Sequence, residues 1–312
     1  MYERFFFLKE KPFHITPDPR FLYLGRKHGE AMELLSYGIR ERKGFILLTG
    51  EVGTGKTTLC RALLDKLPEQ TESALILNPM LSDADLLTTI VHDFGLNPEV
   101  ATPAANLERL NSFLLELNAS GGNAAVIIDE AQNLNRSALE MVRLLSNLET
   151  EREKLLQIVL VGQPELREKL KMSQLRQLNQ RVIIRYALEP LDLGETAAYI
   201  RNRLDVAGSI GSVEFTADAI KAVHRGSGGI PRMINIISDR ALTAAYISEK
   251  RVIDKKVLGM ALAELETEGY ISGMADLLTY LEYTPHIAVS MFLLALLAGI
   301  FWGPFVLGLG GH

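Results

Sequence analysis

A chain of 312 residues can hold one large α/β domain and a smaller companion, since single cores seldom grow past roughly 250 to 300 residues. Hydrophobic residues make up 47% and charged residues 23%, the balance of a folded protein, which excludes an intrinsically disordered chain. The 33 basic and 38 acidic side chains leave a net charge of -5, so no general attraction to nucleic acid or anionic lipid follows. The single cysteine, Cys60, excludes an internal disulfide and a cysteine-rich metal site, and reads as a small apolar residue.

Met1 to Lys11 carries five charged residues and no apolar run, which argues against an N-terminal signal peptide and for a cytoplasmic main domain. Pro12, Pro17 and Pro19 interrupt any early helix. Residues 1–43 read as a lead-in that closes with one amphipathic helix over His28 to Arg40. The apolar run Phe45 to Thr49 predicts a buried strand, followed by a glycine-rich loop and a helix from Lys56 to Leu67 that Pro68 stops. Further buried strands are predicted at Ala74 to Leu77, Ala125 to Ile128, Ile158 to Val161 and Val182 to Tyr186. Helical pattern separates them, and such alternation implies an α/β domain with a parallel sheet over residues 44–190.

After Leu191 the strand signals stop. Leu193 to Val206, Thr216 to Val223, Pro231 to Ser248 and Lys255 to Glu266 read as helices, so residues 191–266 are expected to form a small all-helical domain. Residues 267–286 read as a linker or short amphipathic helix. Ile287 to Leu309 then runs for 23 residues without a charged side chain, long enough to cross a bilayer core of ~30 Å as a helix. Phe292, Leu296, Trp302 and Phe305 spread the apolar surface around the whole helix, so it reads as a transmembrane segment rather than a buried terminal helix.

The chemistry starts at Gly50-Glu51-Val52-Gly53-Thr54-Gly55-Lys56-Thr57-Thr58. Small residues let consecutive backbone N–H groups turn inward on phosphate oxygens, and the helix beginning near Lys56 adds its positive end. Lys56 can reach the outer phosphates of a nucleoside triphosphate, the Thr57 hydroxyl is placed to coordinate Mg²⁺, and Thr58 is expected near the innermost phosphate. Ala124 to Ile128 is an apolar strand that delivers Asp129 and Glu130 at its end. Asp129 suits the Mg²⁺ shell, and Glu130 suits the water that attacks the terminal phosphate. The histidines at 14, 28, 92, 224, 286 and 312 show no ligand spacing, and His28 reads as helix packing.

These two motifs, together with Gln157 to Gln163 and Gly228-Gly229-Ile230-Pro231-Arg232, resemble the AAA+ ATPases of the P-loop NTPase class. The resemblance covers residues 1 to about 266. It implies a five-stranded parallel sheet in the order 5-1-4-3-2, a helical lid over ATP, and a homo-oligomer with nucleotide at the subunit interface. By the same resemblance Gln163 stands at the sensor-1 position, where Asn or a hydroxyl residue is commoner, and Arg232 at the sensor-2 position. An arginine finger from a neighbouring subunit would be Arg176 or Arg181, and the sequence does not choose between them.

Met1-Tyr2, Phe5-Phe6, Pro12-Phe13, Thr16 to Leu24, His28 to Ala31 and Tyr37-Gly38-Ile39 further resemble the lead-in of the general secretion pathway protein A (ExeA-type) family. That resemblance implies an ATPase domain in the cytoplasm and a single pass through the bacterial inner membrane. A periplasmic peptidoglycan-binding domain commonly follows, and the whole helps a secretin or related pilus or export machine assemble. Here His312 closely follows the apolar stretch, so cell-wall binding is expected from a partner, such as a secretion pathway B-like component, or from further chain. A DNA-dependent ATPase of the transposition-helper kind is the alternative. It requires a basic track, for which Arg181, Arg185, Arg201 and Arg203 are the candidates, but the acidic balance and the apolar segment disfavour nucleic acid.

Overall fold

Alternate residues of the central strands enter two different cores, and this fixes where the sheet lies. The computed structural model describes residues 1–270 apart from 17, 78, 98–101 and 210. Strands β1 (Phe45–Gly50), β2 (Thr71–Ile76), β3 (Asn123–Ile128), β4 (Gln157–Gly162) and β5 (Ile184–Leu188) form one five-stranded sheet in the order β2-β3-β4-β1-β5. Every pairing is parallel. Taken from the other edge this is the expected order 5-1-4-3-2.

Phe45 and Leu47 of β1, Val126 and Ile128 of β3, and Ile158 and Leu160 of β4 face one core. That core is closed by α4 (Asp83–Asp93), α5 (Pro103–Ala119), α6 (Arg136–Leu145), α7 (Pro164–Lys171) and α8 (Arg176–Arg181). Their neighbours Ile46, Leu48, Ile127, Val159 and Val161 face the other, under α2 (Arg26–Arg40) and α3 (Lys56–Leu64). A strand covered on both faces must be apolar throughout, and β1 and β4 are buried at every position. The edge strands β2 and β5 alternate instead. β5 begins two residues beyond the start expected from the apolar run: its pairing with β1 starts at Ile184 opposite Ile46, and Ile183, whose N–H donates to the Phe45 carbonyl at 3.0 Å, is 64% exposed.

Helices α9 (Leu193–Val206), α10 (Ala217–Ser227), α11 (Pro231–Ile247) and α12 (Lys255–Thr267) make the second domain. It is not all-helical as expected. β6 (Glu214–Phe215) and β7 (Val252–Ile253) pair in parallel, each two residues long and each just ahead of a helix cap, Thr216 or Asp254. Strands so short leave no periodicity to read. The lead-in contributes to this domain too: Tyr2 of α1 (Tyr2–Phe5), Phe6, Phe13 and Phe21 are buried in its core. Residues 26–40 then pack on the sheet, so the chain passes between domains at Gly25 and again at Leu191. A capping box ties the two passages together. Asp192 caps α9 through the Glu195 N–H at 2.8 Å, and Glu195 accepts from the Asp192 N–H at 3.0 Å and the Arg26 N–H at 2.7 Å.

The expected transmembrane helix at 287–309, and all of the 267–286 linker beyond residue 270, lie outside the described residues. Among the described residues no helix is long and apolar enough to cross a membrane.

Gly229, at φ +74°, receives the Leu191 N–H on its carbonyl at 2.9 Å, and an added Cβ there would stand 2.0 Å from the Leu191 carbonyl oxygen. Gly29, inside α2, has nothing within 4 Å of the same position. Gly229→Ala should therefore lower the melting temperature by about 5 °C or more, while Gly29→Ala should hold or raise it. A thermal melt of both variants checks this, and a Gly229→Ala protein as stable as the parent would show that the contact does not constrain the backbone.

Candidate functional site

The loop joining β1 to α3 turns twice through conformations that favour glycine, with Gly53 at φ +82° and Gly55 at φ +96°. Gly55 is the N-cap of α3, so the unpaired N–H groups and positive end of that helix open at the loop. A Cβ on Gly53 would meet Arg232 Cβ at 2.6 Å, and the Arg232 N–H donates to the Gly53 carbonyl at 3.2 Å. The start of α11 is thereby laid against the loop. Between them lies a cavity of about 520 Å³, walled by Val52 to Thr58, Glu130, Arg232 and, on the far side, lead-in residues including Phe21 and Tyr23. That volume suits a small-molecule ligand.

Lys56 is 6% exposed, and its Nζ donates to the Gly50 carbonyl at 2.7 Å and the Glu51 carbonyl at 2.9 Å. Gly50 and Glu51 thus hold the lysine rather than line the cavity. Burial lowers the lysine pKa, against the opposing pull of Glu130 and Asp129. A buried ammonium held only by neutral carbonyls complements an anion. Thr54 braces the turn through its hydroxyl on the Glu51 carbonyl at 2.8 Å. His28 Nε2 lies 2.8 Å from the Thr54 carbonyl, and burial lowers its pKa. A carbonyl only accepts, so Nε2 carries the hydrogen in this contact, and His28 supports the loop from behind as well as packing α2.

Because β1 and β3 run parallel with β4 between them, β3 ends level with the loop. Asp129 is 2% exposed, with Oδ2 accepting from the Thr57 hydroxyl at 2.5 Å and Oδ1 from the Glu130 N–H at 2.8 Å. Burial raises its pKa, and the Thr57 hydrogen bond opposes the shift. A hydroxyl and a buried carboxylate in contact fit a hard cation such as Mg²⁺, which takes one or two protein oxygens and its remaining ligands from phosphate and water. Among the described residues no group of three or more His, Cys, Asp or Glu forms a further metal site.

Glu130 sits at φ +51°, an uncommon backbone state for a residue with a Cβ. Its Oε2 accepts from Gln132 Nε2 at 2.5 Å and more weakly from Gln163 Nε2 at 3.4 Å. Gln132 Oε1 in turn accepts from the Gln163 N–H at 3.1 Å. Gln132, which the motif reading passed over, therefore joins Glu130 to Gln163 through one amide. Its position two residues after Glu130 was the available signal. Lys169 fixes the same turn by donating to the Gln132 and Leu134 carbonyls at 2.8 and 2.5 Å.

Arg176 and Arg181 do not reach this cavity. Arg181 donates to the carbonyl and hydroxyl of Ser146 at 3.4 and 3.3 Å, and Arg176 is exposed at the start of α8. The four-arginine basic track does not assemble either. Arg203 is 6% exposed in the second domain, and Arg185 is bound to the carbonyl and side-chain oxygen of Asn179.

Residues 39–170 match the family described as an AAA domain. Among solved structures, the Aeropyrum pernix ORC2 protein in its ADPNP and ADP complexes is similar at a TM-score of 0.62 and 17% identity, over 82% of this chain and 72% of that one. Drosophila ORC bound to DNA is similar at 0.60 and 20% identity, over 81% and 64%. At such identities the likeness is one of fold. Sheet order, phosphate loop and paired carboxylates are those of the AAA+ class of P-loop proteins. Within that class it belongs to the general secretion pathway protein A family, since it is 47% identical over 277 residues to general secretion pathway protein A of Aeromonas hydrophila. The alignment takes in 88% of this chain and 49% of the relative, so the chain spans about half the length of the curated protein it matches.

A carboxyl whose pKa rises on folding binds its proton more tightly in the folded chain. The stability it contributes is therefore full below the ordinary aspartate range and falls as pH rises through the folded value. Nucleotide-free Asp129→Asn, whose oxygen can accept from the Glu130 N–H while its amide donates to the Thr57 hydroxyl oxygen, should melt above the parent at pH 8, with the gap narrowing as the pH is lowered through the acid range. Melting curves of both proteins across that range test it, and a gap independent of pH contradicts it.

Proposed function

We propose that this protein hydrolyses ATP in the cavity between the β1–α3 loop and α11, and that it uses the turnover at the bacterial inner membrane to drive assembly of an envelope machine. The observation that carries the chemical part is the convergence of Lys56, Thr57, Asp129 and Glu130 at the ends of β1 and β3, which flank β4. Backbone N–H groups of residues 52–58 and the Lys56 ammonium would take the phosphates, with Lys56 released from the Gly50 and Glu51 carbonyls. Thr57 and Asp129 would hold Mg²⁺, which neutralises phosphate charge when bound.

Glu130 is the base in this reading. Its Oε2 is occupied by Gln132, while Oε1 receives no hydrogen bond among the described residues and is free to take a proton from water. The water oxygen bonds to the γ-phosphorus as the bridging P–O bond to the β-phosphate breaks, and that electron pair leaves with ADP. Gln163 orients Glu130 and the water. Arg232, fixed against Gly53, carries loss of the γ-phosphate to the helical domain acting as a lid. Since Arg176 and Arg181 lie away from the cavity of their own chain, either would serve as a finger to a neighbouring copy in a homo-oligomer.

The biological part rests on the 47% identity to general secretion pathway protein A and on the apolar segment 287–309. A single-pass anchor there places the ATPase domain on the cytoplasmic side. A secretion pathway B-like or peptidoglycan-binding partner would then link ATP turnover to a type II secretion secretin or a related pilus or export system.

Lys56→Ala should abolish ATP binding, and Glu130→Gln should retain binding and lose at least about 100-fold in turnover. Isothermal titration and a phosphate-release assay measure the two, and normal hydrolysis by Glu130→Gln would remove it from the role of base. Fractionation of cells expressing chains with and without residues 284–312 tests the anchor: the first should sediment with membranes and the second should not. Equal partition of the two would contradict it.

A further inference from the structure

An arginine side chain has donors and no acceptor, so hydrogen bonds leaving a buried arginine have a fixed direction. Arg203, on α9, is 6% exposed, and its guanidinium stands over the Phe21 ring at 4.7 Å from the centroid. Nε donates to the Pro12 carbonyl, Nη2 to His14 Nδ1 at 2.8 Å, and Nη1 to the Tyr199 hydroxyl at 2.9 Å. Having accepted from Arg203, the Tyr199 hydroxyl sends its one hydrogen to Asn235 Oδ1 at 3.0 Å. The reverse amide orientation would leave the tyrosine hydrogen without an acceptor. Asn235 therefore turns its oxygen to Tyr199 and presents its two amide hydrogens on the opposite side.

Asn235 is itself 6% exposed and lines the cavity. Among the described residues its Nδ2 donates to no protein acceptor. The residue lies on α11 one turn beyond Arg232, hence about 4.5 Å farther along the helix from the contact with Gly53. Tyr199, its neighbour across the cavity wall, stacks edge-on against lead-in Tyr23 at 6.0 Å. The amide hydrogens thus lie on the side of Asn235 away from Tyr199, on a cavity-lining residue beyond the point where α11 meets the phosphate loop.

We propose that Asn235 donates a hydrogen bond to an acceptor atom on the sugar–base half of the bound nucleotide, and that Arg203 and Tyr199 are positioning residues that lock it in the donor orientation. This rests on the reading of the cavity as an ATP site. It makes the lead-in part of the nucleotide site, since Pro12 and His14 hold the arginine that sets the orientation.

The test compares ATP with inorganic tripolyphosphate, which offers phosphates without sugar or base, on the full chain. Asn235→Ala should weaken ATP about tenfold, the size of one lost hydrogen bond, and leave tripolyphosphate affinity unchanged. Tyr199→Phe frees the amide to rotate, so it should weaken ATP by a similar factor, and Asn235→Ala in that background should add almost nothing. Equal loss of both ligands, no loss of ATP, or additive losses in the double variant would each overturn the assignment. Failure of the parent protein to bind ATP, or binding that survives Lys56→Ala, would instead refute the ATP site and the assignment with it. Parent-level ATP affinity in Asn235→Ala alongside loss in Lys56→Ala refutes only the role of Asn235.

Discussion

A buried ammonium whose hydrogen bonds go to carbonyl oxygens is the constraint on which the site depends. Lys56 stands behind its own loop with neutral partners at 2.7 and 2.9 Å, and burial works against its charge. Those carbonyls take two of its three donors without cancelling its charge. The carboxylates of Asp129 and Glu130 compensate it in part from the end of β3, but Asp129 is engaged by Thr57 and Glu130 by Gln132. The loop therefore brings the Lys56 ammonium and the open N-terminus of α3 together, and both complement an entering polyanion.

The sheet supplies the precision. Parallel strands in the order β2-β3-β4-β1-β5 put the carboxyl ends of β1, β3 and β4 on one rim, so the lysine loop, the two carboxylates and Gln163 come from different strands yet meet. Their supports are local. Gln132 and Lys169 hold the turn that carries Glu130, and His28 holds the turn that carries Gly55. None of these supports need touch the ligand to shape the chemistry.

Much of this was legible from residue order alone. A run such as Ile-Leu-Leu-Thr ahead of a glycine-rich loop, or Ala-Val-Ile-Ile ahead of Asp-Glu, carries both the buried strand and its chemistry in one stretch, because the central strands are covered on both faces. What escaped was of two kinds. β6 and β7 hold two residues each and leave no period. Gln132, Tyr199, Arg203 and Asn235 depend on partners far along the chain, 31 positions away for the Gln132–Gln163 bond and 191 for Arg203 with Pro12. Arg203 is the sharpest case, since an arginine in a list of basic residues is ordinarily taken for surface charge, and only the fold shows it enclosed by aromatic rings.

The passage of the chain between domains has a mechanical meaning. Tyr2, Phe6, Phe13 and Phe21 are core members of the helical domain, the chain enters the sheet domain with α2, and it returns to the helical domain after Leu191. Two covalent tethers would ordinarily stiffen such a joint. Here they leave the sheet domain side by side: a Cβ on Gly25 would touch the Leu191 side chain at 3.2 Å, and Glu195 grips the start of α2 beside the start of α9. The two passages thus lie side by side, so a rotation of the helical domain about them would stretch neither tether much, while in the lead-in Phe21 packs into one domain and Leu22 against the other.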